Sequence, residues 1–503
     1  MVLLTLALLP LLSSGTLQPS AASLNSGTVF TENAVGAGLI YTVLGRSGVA
    51  IGDANGDGWE DVVFSGSTVD GVKLFLNQQD GTFSDATIAN LPLDTPLAWE
   101  TQFADLDNDG DLDLALARWY DASGSDTGFW WLENDGSGLY THGPVVTDLA
   151  RTSDVVGSMA AADTDRDGDL DIILLHNTGP GWFLSNDGDG NFSDATGIVG
   201  GALSDSKRHW SGPLGDYDKD GWMDLHVAID GGYDYHVRNA GDGTFEDVSV
   251  QVGVSNAGSD MGVIPGDFDG DGDIDLYSTN IGYNVLYVND GAGNFTDQGL
   301  ARGVRASNGF PLQVGWGTIF ADLDNDLDED LVYVVSNFVQ GNYGQAFLND
   351  GTGNFVDGTS SLGLDSSLGG RSLAVFDFDR DGDQDMLAAG YFGNPQFFVN
   401  GLNPAGQTDA NWLEIELVGR SSAPQGIGAW IEVTAAGKTQ TRHLTSGGSM
   451  NTGVSMRQHF GLGSATVVDR VVIRWPSGVR QERQNLAPGQ ILRVRELGSI
   501  KPL

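Results

Sequence analysis

An all-β chain, with a seven-bladed β-propeller followed by a small β-sandwich, is the fold class that the sequence predicts. Three observations predict it. An acidic nonapeptide recurs seven times, 51 to 58 residues apart, and glycine-rich turns beginning with Asn recur between the copies. No helical period of 3.6 competes in the strand-like runs between them. From about Asn403 both repeats stop, and a different strand-rich stretch follows.

The first nonapeptide carries Asp53, Asn55, Asp57 and Asp61 at its positions one, three, five and nine. The second has Asp105, Asp107, Asp109 and Asp113 there, the third Asp163, Asp165, Asp167 and Asp171, and the fourth Asp216, Asp218, Asp220 and Asp224. Asp267, Asp269, Asp271 and Asp275 follow, then Asp322, Asp324, Asp326 and Asp330, and last Asp377, Asp379, Asp381 and Asp385. Four side-chain oxygens, with a backbone carbonyl expected from position seven, make an oxygen-only cage. That donor set suits Ca²⁺ and not zinc or copper, so up to seven calcium ions are expected. Glycine at position six permits the sharp turn. The sixth copy has Leu327 there, at a cost of about 1 kcal/mol in a left-handed conformation. An EF-hand is excluded: position twelve, which needs a bidentate Glu, is Phe64, Leu116, Leu174, Val227, Ser278, Tyr333 or Ala388.

One repeat parses within residues 157–196 as four strands. GSMAAAD precedes the acidic loop, LDIILLH follows it, and GWFLSN and FSDAT flank an NDGDGN turn. Four antiparallel strands per 50-residue repeat is the propeller pattern. Five residues before each loop stand Gly48, Glu100, Ser158, Ser211, Gly262, Gly317 and Ser372, small in six cases, as a crowded axis requires. The seventh repeat ends at Asn400 without a fourth strand, and Val29–Glu32 resembles the missing piece, so the N-terminal segment is expected to close the ring.

The 503 residues carry a formal charge of −44 and no cysteine. This argues against nucleic acid and anionic membrane surfaces as partners, and leaves calcium to do the work of disulfides. Residues 1–23 begin MVLLTLALLPLL and read as a secretory signal peptide. The chain is therefore expected to be secreted or at the cell surface, with the periplasm open, and without a transmembrane segment in its mature form. The expected domains are 24–402 for the propeller and 403–503 for the sandwich.

The repeats resemble the VCBS/FG-GAP family, which includes the propellers of integrin alpha subunits. The resemblance implies calcium in the loop between the first two strands of a blade. The C-terminal stretch carries His459-Phe460-Gly461-Leu462-Gly463 and Trp475-Pro476-Ser477-Gly478, and strongly resembles the ASPIC/UnbV domain. That domain follows such repeats in cartilage acidic protein and its bacterial relatives.

No catalytic set is legible. The seven histidines are scattered without metal-ligand spacing, and the acidic pairs belong to the calcium loops. The face opposite those loops is expected to collect aromatic and basic residues, among them Trp119, Tyr120, Arg208, His209, Trp210 and Arg371. Such a surface suits glycan or protein ligands. The sequence thus predicts an extracellular recognition or adhesion module. The alternatives are a polysaccharide-degrading hydrolase or lyase, with Lys207-Arg208-His209 as its best candidate, and a structural surface or matrix protein.

Overall fold

The computed structural model describes residues 29–503 apart from 41–42, 45–47, 67–70, 119–127, 145, 147–155, 178, 206, 256, 306–313, 336–342, 366–367, 391, 403–410 and 499. The expected signal peptide, Trp119 and Tyr120 lie outside the described residues. Strands dominate, and the helical pieces described are short: Thr87–Asn90, Thr196–Leu203 and Ser249–Val252.

Each repeat folds as four antiparallel strands. In the third these are Val156–Ala162, Asp171–His176, Trp182–Asn186 and Phe192–Asp194, in that spatial order, with the acidic loop between the first two. Seven sheets containing this four-strand order are present among the described residues. The outer strand of the last comes from the N-terminal segment, where Thr31 and Glu32 pair with Val399 and Phe398. The inner strand of that sheet, Ser372–Phe376, packs on that of the first, Val49–Gly52, so the sheets close on themselves.

The asparagines that open the glycine-rich turns do more than turn the chain. Each points its side-chain amide sideways and donates to the carbonyl at position two of the preceding repeat's acidic loop. Asn134 reaches Ala54 O at 2.8 Å, Asn186 Leu106 O at 2.9 Å, and Asn239 Thr164 O at 2.8 Å. Asn289 reaches Tyr217 O at 2.9 Å, Asn349 Phe268 O at 2.7 Å, and Asn400 Leu323 O at 2.9 Å. Asn77 completes the circuit on Phe378 O at 2.8 Å. These carbonyls are covered by the neighbouring sheet, where an unpaired acceptor is costly. Replacing the buried Asn289 by Leu removes its bonds to Tyr217 O and Ile274 O. The expected loss is about 2–4 kcal/mol in urea unfolding. Asn294→Ala, which removes only bonds to the neighbouring Asp290 at the surface, is the near-neutral control.

The propeller axis is filled by a segment that belongs to the C-terminal region. Thr452 and Gly453 pair in parallel with Val49 and Ala50 of the first sheet. Ser446 Oγ donates to Gln102 Oε1 of the second sheet and accepts from Ala161 N of the third. Ser211 Oγ, in the fourth, donates to Ser449 O at 2.7 Å. Ser449 N donates to Val263 O of the fifth, and its Oγ accepts from Thr318 N of the sixth. Leu373 N of the seventh donates to Thr452 Oγ1. Close approach dictates the composition of this plug. A Cβ on Gly447, which has φ of +76°, would stand 2.4 Å from Ala160 Cβ. The small residues five places before each loop face this plug: a Cβ on Gly48 would lie 2.6 Å from Asn451 O. Met450 is fully buried at the plug tip, in one cluster with Trp99, Trp210, Met261 and Trp316.

The rest of the C-terminal region forms two four-stranded sheets. Asn411–Val418, Gln458–Gly463, Gln490–Arg495 and Ile500–Pro502 make one; Trp430–Ala435, Lys438–His443, Val468–Arg474 and Arg480–Leu486 make the other. Ile415, Ile431, Val433, Phe460, Leu462, Ile473 and Trp475 share the core between them. This unit sits on the acidic-loop face. His459 Nε2 lies 2.6 Å from Asn325 Oδ1, Arg442 pairs with Glu329 at 3.1 Å, and Arg457 donates to Gly58 O at 2.8 Å.

Candidate metal centres

The acidic loops are built alike because their backbone turns twice through the left-handed region. Position four has φ between +56° and +71° in all seven, at Gly56, Asn108, Arg166, Lys219, Gly270, Asn325 and Arg380. Position six is glycine with φ from +87° to +101° in six loops, and Leu327 follows it at +81°. The leucine therefore takes the glycine conformation, and the sixth loop keeps the common shape.

That shape ties one oxygen of the first aspartate to the loop backbone. The position-six N–H donates to the first aspartate: Gly110 N to Asp105 Oδ2 at 3.0 Å, Gly168 N to Asp163 Oδ2 at 3.1 Å, Gly272 N to Asp267 Oδ2 at 3.1 Å. Leu327 N does the same for Asp322 at 3.0 Å. The other oxygen of Asp105, Asp163, Asp216 and Asp267 is buried and has no hydrogen-bond partner. In at least five loops three carboxylates bring oxygens within 4.8 Å of one another. Among these are Asp105, Asp107 and Asp113; Asp163, Asp165 and Asp167; Asp216, Asp218 and Asp220; Asp267, Asp269 and Asp271; and Asp322, Asp324 and Asp330. Converging oxygens without protons to satisfy them fit a hard divalent cation, and Ca²⁺ in particular.

Position nine has a second duty that its spacing did not reveal. Asp113 accepts from Leu106 N at Oδ2 and from Asn134 N at Oδ1, both at 2.9 Å. Asp61, Asp171, Asp330 and Asp385 repeat the arrangement. The ninth aspartate thus ties the acidic loop to the turn asparagine, alongside any share in holding the ion. Asp224 and Asp275 accept only the asparagine N–H and keep one buried oxygen unpartnered.

Burial, then the neighbouring carboxylates, pushes these groups up: Asp163 and Asp216 to about 6, Asp105 and Asp267 to about 7, Asp61 and Asp113 to about 8. The folded chain without metal therefore holds protons more tightly than the unfolded chain, whose aspartates titrate near 4. This contribution to stability is fully present below pH 4 and is lost as pH rises through 6–8. In EGTA the melting temperature is expected to fall from pH 5.5 to pH 8. With calcium the trend reverses, because the ion needs the ionised form. Calorimetry near pH 6.5 in buffers of different ionisation enthalpy is expected to register proton release on calcium binding.

The expected ligand face is corrected at three positions. His209 is fully buried, and Trp210 and Arg371 are 5% and 3% exposed. Arg371 stands 3.6 Å from the Trp316 ring centre and 5.5 Å from those of Trp99 and Trp210. Trp210 and Arg371 stand six residues before their loops and pack with Trp99 and Trp316 at the axis, so they are core, as is the fully buried His209. Arg208 is exposed and pairs with Asp230 at 3.1 Å. Lys207 and His209 do converge, on Asp205, to which Tyr235 also donates at 2.6 Å. Burial and the Asp205 carboxylate raise the Tyr235 hydroxyl, the reverse of what a general base needs.

The FG-GAP-like repeat model matches residues 53–116, 163–227, 216–278, 267–333 and 322–388, and the ASPIC and UnbV model matches 419–501. No curated protein matches the chain. Among solved structures the chain is similar to BBS1N in complex with ARL6DN, with 13% identity, 76% of this chain and 99% of that chain covered, and a TM-score of 0.45. It is also similar to YCF48 bound to D1 peptide (12% identity, 77% and 100% covered, TM-score 0.44) and to BP39L lectin from Burkholderia pseudomallei (11% identity, 71% and 96% covered, TM-score 0.45). No described helix is long and apolar enough to cross a membrane.

Proposed function

Because the chain belongs to the FG-GAP-like repeat family and ends in an ASPIC and UnbV domain, we propose that it is an exported, calcium-stabilised recognition module for glycan or protein ligands. The observation that carries this reading is the loop construction. Four buried aspartate oxygens without partners, at the same position of four loops, are a standing cost that a resident cation removes. Seven such loops on one face make calcium a structural component, and extracellular-type sites of this kind work at millimolar calcium. In this reading all seven loops bind calcium, residues 1–23 direct export, and 24–402 and 403–503 are the two domains.

A glycan array probed with the full mature chain tests the reading. Retention in millimolar calcium that disappears in EGTA is the expected result, with hits then assayed for bond cleavage. A blank array on folded protein would remove glycans and leave protein partners.

A further inference from the structure

A cleft of about 780 Å³ lies between the acidic-loop face and the C-terminal sandwich, away from the positions first expected to bind ligand. Its volume falls within the range of small-molecule sites, and a junction between domains is where such sites concentrate. One wall is formed by the first three acidic loops, including Asp53, Asp105, Asp109 and Asp169. The other carries Arg420, Arg493 and Arg495 along the sandwich edge.

Two features of this cleft have no structural use. Gln425 lines it, is 8% exposed, and has neither amide atom hydrogen-bonded. Arg420 and Arg495 have no carboxylate partner among the described residues, although the chain holds 68 acidic side chains against 24 basic ones. Arg493, by contrast, is paired with Glu416 at 2.7 Å. A buried amide without partners costs about 1–3 kcal/mol, so its retention calls for a ligand.

We propose that this cleft binds a short acidic oligosaccharide of the uronate class. Its carboxylates would meet Arg420 and Arg495, and its hydroxyls would meet Gln425 and the Asp111 and Asp169 carboxylates, which stand outside the calcium-ligand positions. Guanidinium forks match carboxylates in pairs, and a hydroxyl both donates to a carboxylate and accepts from an amide, which a purely anionic or purely apolar ligand cannot do. Calcium in the first three loops would lessen the repulsion that their carboxylates otherwise exert on an acidic ligand, and the arginines of the facing wall would have to outweigh the remainder. The proposal rests on the reading of the chain as a recognition module and assigns that reading a place and a ligand chemistry.

The test is calorimetric titration of the full chain in millimolar calcium with tetragalacturonate and with cellotetraose as the neutral probe. Saturable binding of the uronate alone is expected. The exposed double variant Arg420→Ala/Arg495→Ala should weaken it at least about tenfold with the melting temperature unchanged. Gln425→Leu separates binding from structure. A residue kept for ligand gives a more stable protein that binds less; a residue kept for packing changes stability alone. Uronate binding that both variants leave intact would overturn the cleft while sparing the recognition reading. No uronate binding by folded protein, or Arg495-dependent binding of an acidic peptide instead, would overturn the proposed ligand class.

Discussion

Excess EGTA is expected to unfold the propeller at room temperature or bring it to the edge of unfolding. At free calcium ten times Kd each site adds about 1.4 kcal/mol, so seven independent sites add roughly 10 kcal/mol. That is the order of a whole domain's stability. On the proposed calcium role, the effect would originate in the first aspartate of these loops. Asp105, Asp163, Asp216 and Asp267 are held with one oxygen fixed by loop backbone and the other buried without a partner. Removing the cation leaves this charge desolvated and crowded. The damage should also reach the C-terminal unit, which rests on the loops through His459 with Asn325, Lys438 with Asp328, and Arg457 with Gly58. Thermal unfolding followed by circular dichroism, with and without EGTA, measures the effect, and an unchanged melting temperature would refute the structural role of calcium.

Met450→Ala is expected to cost about 2–5 kcal/mol, the range for emptying a fully buried methionine site. Its neighbours Trp99, Trp210 and Trp316 should report the change by a red shift of fluorescence as water enters the axis. Residues 445–456 should become open to proteolysis, since the plug loses its tip while keeping only hydrogen bonds to the inner strands. Leu497→Ala, at a position 63% exposed, is the control and should change little. Equal stability of the two variants with unshifted fluorescence would show that the axis does not depend on the plug.

The acidic nonapeptides were legible because loop conformation is local: four oxygens at fixed spacing and glycine at position six describe one turn whatever surrounds it. Closure by Thr31–Glu32 was legible for a related reason, since a repeat lacking one strand must find it elsewhere. Small residues five places before each loop announced a crowded axis. What crowds it was hidden, because Ser446, Ser449 and Thr452 reach it from more than 70 residues beyond the last repeat strand they meet. A twelve-residue stretch rich in glycine, serine and threonine reads as an ordinary loop until its partners are known. The same limit explains Trp210 and Arg371. Sequence placed them in irregular segments where aromatic and basic residues suggest a surface, whereas convergence of seven inner strands turns that radial position into core. The sequence by itself determined the repeat, its acidic loops and the two-part all-β architecture, each a matter of short-range periodicity. Only the tertiary structure decided that the C-terminal domain plugs the propeller and roofs its acidic loops, because contacts between distant segments follow from the closed shape of the ring.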